Sequence, residues 1–277
     1  MQETGNKTTM QEATVNNSNQ RLTIRVSKIA LSFSTVDVAG KVSYEPYNVR
    51  SGISMAANLR EALKSSPLLQ QPFRRTQVVI DSPSLLVPTD LFQEQEATTL
   101  FTHSYPKRES ETVMYNVLPD LNAVTLFCIN KDLKLVIDDH FAQVTFVCAM
   151  APVWRYLHQR SFTGARNKLY AYFHDKQLTI FSYTQNRFKF CNSFETTHAH
   201  DALYFILYVW KQLMMKAEFD ELHLVGEIPE QEWLLEELRR YVLRTYVISP
   251  TGDFNRAPVT QIKTMPYDLM TLYVRGR

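Results

Sequence analysis

Three short stretches carry side chains whose types and spacing could do chemistry. His198-Ala199-His200-Asp201 offers two imidazoles and a carboxylate. On a strand, His198 and His200 would share a face and could grip a metal ion. The residues that follow have helical spacing, so the pair falls at a helix start, where Thr197 or Asp201 can cap and a solvated histidine is unremarkable. Asp138-Asp139-His140 holds an acid–base pair by composition, but it closes an amphipathic helix and reads as a solvated end. Asp81 ends a short apolar strand and, standing alone, reads as a turn or helix-capping aspartate. No HExxH, CxxC, Gly-x-Ser-x-Gly, Walker A or Gly-x-Gly-x-x-Gly pattern is present, and seven glycines leave little material for phosphate-cradling loops. On these grounds no catalytic residue and no metal ligand is assigned.

Composition narrows the classes further. A chain of 277 residues with 45% hydrophobic and 21% charged residues is globular, and its net charge of +2 lacks the basic excess of a generic nucleic-acid binder. The basic pairs Arg74-Arg75, Lys107-Arg108 and Arg239-Arg240 are scattered and make no track for nucleic acid. Cys128, Cys148 and Cys191 sit in apolar runs and read as buried, reduced thiols of a cytoplasmic protein. Residues 1–20 are rich in Asn, Thr, Gln and Glu, with no apolar core of a signal peptide, and read as a disordered tail. The apolar stretch from Ala202 to Leu213 is too short to span a bilayer, so no membrane insertion is expected. Tyr204, Phe205, Tyr208 and Trp210 in that stretch predict a helix buried on several sides, with a partner-binding face as the alternative.

The elements that must position any site come in two matching sets. Arg21–Val26, Leu31–Ser34 and Val42–Tyr44 predict a three-stranded meander, followed by a helical segment from Gly52. Lys168–Phe173, Leu178–Phe181 and Phe188–Phe190 repeat the pattern, with a helical segment from Ala199. Leu22 matches Leu169 and Leu31 matches Leu178, both at an offset of 147 residues. A strand follows each helix, at Gln77–Ile80 and Glu221–Val225, and a further helix comes later. Between the sets, Pro88 opens a predicted helix to about Phe101, Thr112–Leu118 and Asn122–Cys128 form a hairpin about Pro119-Asp120, and Asn130 caps a helix. Leu234, Leu238, Tyr241 and Val242 share one helix face, with Glu236 and Arg240 as an i, i+4 pair opposite. A short tail helix from Pro266 to Tyr273 is expected to dock on the second half. The division is a tail (1–20), a first lobe (21–160) carrying a hairpin and αβα extension, and a second lobe (161–277).

A duplicated βββαβα unit is similar to the ground plan of the actin-like ATPase fold, within the ribonuclease H-like group. The stretches Leu22-Thr23-Ile24-Arg25-Val26, Leu31-Ser32-Phe33-Ser34 and Leu86-Val87-Pro88-Thr89-Asp90-Leu91-Phe92 resemble a family of uncharacterised bacterial (Bacteroides-group) proteins with this fold. The resemblance implies where nucleotide chemistry would sit. Active members of the fold place an Asp-x-Gly turn in the first hairpin of each lobe, holding phosphates with backbone N–H groups and Mg²⁺ with carboxylates. Here the first hairpin is Val26-Ser27-Lys28-Ile29-Ala30, with neither Asp nor Gly, and the second is Phe173-His174-Asp175-Lys176-Gln177, with one acid and no Gly. A Gly-Gly pair that normally admits adenosine is reduced to Gly226-Glu227. Neither first strand holds the acid that two-metal nucleases of the group need.

These departures predict a non-catalytic, pseudo-ATPase binding or scaffolding module with an unidentified protein or peptide partner and no cofactor. Under the alternative, a divergent ATPase or sugar-kinase-like enzyme, ATP and Mg²⁺ would meet Ser27, Lys28, Asp175 and Lys176 at the phosphate end and Gly226 near the base.

Overall fold

A computed structural model describes residues 21–106, 109–162, 164–185 and 187–275. The tail at 1–20 and the Lys107-Arg108 pair lie outside the described residues. The first sheet is built from β1 (Arg21–Val26), β2 (Leu31–Val36), β3 (Val42–Tyr47), β4 (Arg75–Ile80) and β8 (Val144–Cys148), in the order β3-β2-β1-β4-β8. Helix α1 (Met55–Ser65) joins β3 to β4. Between β4 and β8 the chain makes β5 (Ser84–Pro88), α2 (Ala97–Ser104), β6 (Glu111–Leu118), β7 (Ala123–Asn130) and α3 (Lys131–His140), and β5-β7-β6 form a separate three-stranded sheet. Helix α4 (Met150–Ser161) leads to the second five-stranded sheet. Its strands are β9 (Lys168–His174), β10 (Gln177–Thr184), β11 (Arg187–Glu195), β12 (Glu221–Gly226) and β13 (Thr245–Val247), in the order β11-β10-β9-β12-β13. Helices α5 (Ala199–Gln212), α6 (Gln231–Arg239), α7 (Pro250–Asp253) and α8 (Tyr267–Arg275) complete the chain.

The two larger sheets are laid out alike. In each, the first two pairings are antiparallel and the next two parallel. The alternation of β1 explains its place. Leu22, Ile24 and Val26 share a face with Leu31 and Phe33 of β2, and all five are buried in one core with α1 and α3. The opposite face carries Thr23, Arg25, Ser32 and Ser34, which a solvated sheet could leave in water. Here α8 covers it: Leu269 packs with Val79 and Ala149, and the Tyr273 hydroxyl donates to Ser34 Oγ at 2.7 Å. The tail helix therefore docks on the first sheet, not on the second half as its sequence position suggests. Its apolar face matches a surface already holding a buried arginine, and Asp268 in its first turn supplies the counter-charge.

Three other local expectations change. Ser84–Pro88 is a strand against β7, so the helix expected from Pro88 is shortened to two 3₁₀ turns and α2. Leu85, Leu86 and Val87 fit a half-buried edge strand, and extended backbone at Pro88 continues it. On α6, Leu234 and Leu238 are buried and Val242 follows them, but Tyr241 lies past the helix end and points outward. On α5, Tyr204 and Tyr208 are exposed and stack at i, i+4, so that helix is not buried all round. The expected Glu236–Arg240 pair forms at 3.7 Å, and Asn130 accepts from Leu133 N as the cap of α3. Among the described residues no helix is long and apolar enough to cross a membrane.

Gly226 closes β12 with φ +89°, and a Cβ built there would lie 2.1 Å from Phe173 O. The neighbouring Glu227 N donates to the same oxygen at 3.0 Å, so the backbone is pinned. Both the left-handed φ and the close approach require glycine. Gly226→Ala is expected to lower the unfolding free energy by roughly 3 kcal/mol, read from the urea midpoint; an unchanged midpoint would contradict this account.

Candidate functional site

The two first hairpins meet around one buried arginine. Arg25, near the end of β1, is 2% exposed. Its Nε donates to both carboxylate oxygens of Asp268 at 2.9 Å, and its Nη2 donates to Asp268 Oδ2 at 2.7 Å. The same Nη2 donates to Asp175 Oδ2 at 3.0 Å and lies 3.4 Å from Asp81 Oδ2. Each acid reaches Arg25 by a local rule. Asp81 directly follows β4, and its N–H extends the β1–β4 pairing by donating to Val26 O at 2.8 Å. Asp175 and Lys176 are the two corner residues of the β9–β10 hairpin, both with positive φ (43° and 63°), the backbone signature of a tight type I′ connection. Asp268 stands in the first turn of α8.

His174 extends the network into the second sheet. Its Nδ1 lies 3.1 Å from Asp81 Oδ2 and its Nε2 lies 3.1 Å from Thr179 Oγ1, which in turn contacts Ser193 Oγ at 2.9 Å. A carboxylate only accepts, so Nδ1 carries a proton. Tyr172 stacks on the His174 ring at 4.6 Å and 15°. Burial works against the imidazolium, but the Asp81 carboxylate outweighs it and holds His174 above the ordinary histidine range. Burial likewise opposes the Asp81 charge, and His174 and Arg25 overcome it, so Asp81 stays ionised well below the usual carboxylate range. Asp175 moves the other way: burial raises it, Arg25 pulls it down, and the neighbouring Asp81 pushes it up again. Arg25 and His174 thus stand against the acids Asp81, Asp175 and Asp268, and mutual pairing is what lets charged groups occupy a water-poor position.

The residues nominated from sequence divide accordingly. Asp175 is at the centre. Ser27 is buried, and its Oγ accepts from Ile29 N at 3.3 Å and Ala30 N at 3.0 Å. Those two amides are therefore spent inside their own turn. Lys28 and Lys176 are exposed. Gly226 serves the backbone contact with Phe173. Asp81 is not a lone cap but part of this network, a correction forced by the register of β1 with β4 and the approach of the second hairpin. Arg25, His174 and Asp268 were not nominated. Their signals were an arginine between Ile24 and Val26, a histidine beside Asp175, and an acid beside Leu269. His200 covers Trp233 at 4.2 Å, and His198, at the start of α5, makes no side-chain cap. Lys134 pairs with Asp138 at i, i+4.

A divalent ion can be tested against this arrangement. Oxygen or nitrogen atoms of Asp81, His174 and Asp175 lie within 4.8 Å of one another, close enough for a metal. The Asp81 and Asp175 oxygens, however, already face the Arg25 guanidinium, and a dication there would be set against a fixed positive charge. With no glycine in either hairpin and the Ile29 and Ala30 amides engaged, the residues present do not fit a magnesium–phosphate unit.

Two similarly ordered sheets, with paired hairpins facing across their junction, define an actin-like ATPase fold. The chain belongs to the family described as protein of unknown function (DUF3822), which matches residues 10–244. It is similar to a Bacteroides thetaiotaomicron protein described as having an actin-like ATPase fold and unknown function, with 30% identity, a TM-score of 0.81, and coverage of 90% of this chain and 98% of that one. A chain from the PilM–PilN type IV pilus biogenesis complex shares the fold alone, at 11% identity and TM-score 0.53, covering 92% and 98% of the two chains. No curated protein sequence matches the chain.

Two outcomes are expected. The first concerns pH. His174 is raised, so its stabilisation is complete below about 6.5, the ordinary histidine value, and is lost as pH rises through the raised one. Asp175, also raised, acts in the same direction. Asp81 is lowered, so its contribution is present above about 4 and lost as pH falls towards its depressed value. Urea midpoints should peak between these limits, and His174→Gln should flatten the decline on the alkaline side; an unaltered decline would remove His174 from the account. The second concerns Arg25→Ala, which strands buried carboxylates and should cost about 3–5 kcal/mol. Millimolar Mn²⁺ should restore part of that loss in the variant and leave the native chain unmoved, as measured by thermal melting. A Mn²⁺ response in the native chain would contradict the reading that the guanidinium holds the cation's place.

Proposed function

We propose that the chain is a non-catalytic, cytoplasmic binding module of the actin-like fold, and that it takes an extended segment of a partner protein. The observation that carries the reading is a groove of about 520 Å³ lined by β5 and β11. Both are the outer strands of their sheets. An outer strand presents backbone donors and acceptors to whatever lies beside it, and an extended peptide is the complement of such an edge. Side chains add the chemistry. Leu86, Phe188 and Phe190 give apolar contact, Arg187 and Lys189 flank them on β11, and no acid is among the described lining residues. The fitting partner is an extended segment with apolar side chains alternating with carboxylates.

The enzymatic alternative needs a phosphate site between the hairpins, and that position is taken by Arg25 and its acids. Membership of a two-protein complex by one structure of the same fold agrees with the binding reading as a fold-level analogy.

Selection from a phage library of extended peptides tests the proposal. Enriched peptides should alternate apolar and acidic residues, and the double variant Arg187→Glu/Lys189→Glu should weaken them by about tenfold or more. Mg²⁺-ATP should leave the melting temperature unchanged, whereas a ligand at 100 times its dissociation constant would add about 2.7 kcal/mol. A Mg²⁺-dependent shift abolished by Asp175→Ala would overturn the binding-module reading in favour of a nucleotide site.

A further inference from the structure

A second cavity, of about 620 Å³, lies at the far side of the second sheet and is independent of the peptide groove. A row of rings across four neighbouring strands runs from the core to this cavity. Phe181 stacks on Tyr170 at 5.5 Å, Tyr170 on His223 at 5.3 Å, and His223 meets Tyr246 at 5.4 Å. The parallel registers put Tyr170, His223 and Tyr246 level with one another. His223 and Tyr246 line the cavity, and Arg160, Arg166 and Lys168 converge on it. Its carboxylates are Glu221 and Asp253. Asp253 pairs with Arg160, and Glu221 lies 3.4 Å from Arg166 and 3.1 Å from His223 Nε2. Three cations thus face two carboxylates.

Among the described residues, two buried polar atoms at this cavity lack a partner, and they are of opposite kind. Arg166 Nε is a donor. His223 is 7% exposed, and its Nδ1 has no hydrogen-bond partner. Burial pushes His223 below the ordinary histidine range, against the pull of Glu221, so the ring is neutral at pH 7. Its Nε2 faces a carboxylate and therefore carries the proton, which leaves Nδ1 as an acceptor. Buried polar atoms without partners are costly, and a ligand that supplies both partners recovers that cost.

We infer that this cavity binds a small hydroxyl-bearing phosphate monoester, the phosphate lying on Arg166, Arg160 and Lys168 and a hydroxyl donating to His223 Nδ1. Guanidinium groups match phosphate geometry with paired donors, and the two carboxylates hold them in orientation. A carboxylate-only ligand would leave the His223 acceptor unmet.

Isothermal titration calorimetry of the full chain with glucose 6-phosphate, inorganic phosphate and glucose tests this. Both phosphates should bind saturably, glucose 6-phosphate the tighter, and glucose should give no heat of binding. Arg166 is 39% exposed at its side chain, so Arg166→Ala should keep the fold, and it should weaken both phosphates by about tenfold. His223→Phe should keep phosphate binding and erase the preference for glucose 6-phosphate. Should that variant not fold, the three ligands against the native chain and Arg166→Ala decide alone. Absence of saturable phosphate binding, affinity unmoved by Arg166→Ala, or equal affinity for the two phosphates in the native chain would overturn the inference.

Discussion

A guanidinium that cannot reach water dictates the centre of this molecule. Arg25 is placed by β1, a strand whose other face is needed in the core, so its side chain has nowhere else to go. An isolated charge in that position would be prohibitive. It becomes tolerable only because three acids arrive from separate parts of the chain: Asp81 from the end of β4, Asp175 from the second hairpin and Asp268 from the last helix. Each acid ties its element to the first sheet. The last helix is thereby held 243 residues from Arg25 in sequence, and the second hairpin 150 residues away. The ion cluster adds less net stability than its short contacts suggest, because desolvation opposes it. It acts mainly by making every arrangement that leaves one member unpaired expensive.

The same cluster explains how a fold associated with nucleotide chemistry can carry none of its usual loops. In this chain a fixed cation, Arg25, stands among the carboxylates. Its charge is covalently attached, it cannot exchange, and it is matched to Asp268 by two-pronged geometry. The amides of Ile29 and Ala30 are turned to Ser27 Oγ, and the second hairpin accepts positive φ at Asp175 and Lys176 without glycine. These features agree with one another: none is needed to approach a phosphate, and all of them close the turn on itself.

Much of the fold was legible before the structure. The offset of 147 residues between Leu22 and Leu169 carried over to sheets of identical order, because strand patterns of period two can be read from the local sequence. The hairpin about Pro119 and the Asn130 cap were legible for the same reason: their chemistry is local. The site was legible only in part. Asp175 could be found by aligning the repeats, but its partners could not. Arg25 reads as an outward residue of an alternating strand unless something is known to cover that face, and the cover, α8, belongs to the other end of the chain. Asp268 in turn reads as a solvated first-turn acid. Pairings at such sequence separations leave no periodic trace. Asp81 failed for a related reason, since a strand-end aspartate becomes part of a network only when the second sheet approaches.

The fixed junction also bears on what kind of binding the molecule can perform. The groove between β5 and β11 is bounded by two different sheets, so its width depends on how the halves are held. Trp154 and Leu157 of α4 share one continuous core with Tyr170, Tyr172, Phe181 and Tyr183 of the second sheet, and the Tyr183 hydroxyl donates to Trp154 O at 2.7 Å. With Arg25 and Asp175 joined at one end and this core between the sheets, opening the halves would expose apolar surface and separate buried charges together. Both costs rise with the same motion. A groove held open at fixed width suits a ligand that adds hydrogen bonds along an edge, because register along a strand tolerates little error. A nucleotide-gated cleft requires the reverse, a junction whose two states differ by only a few kcal/mol. The buried guanidinium therefore agrees with the proposed recognition by a preformed surface.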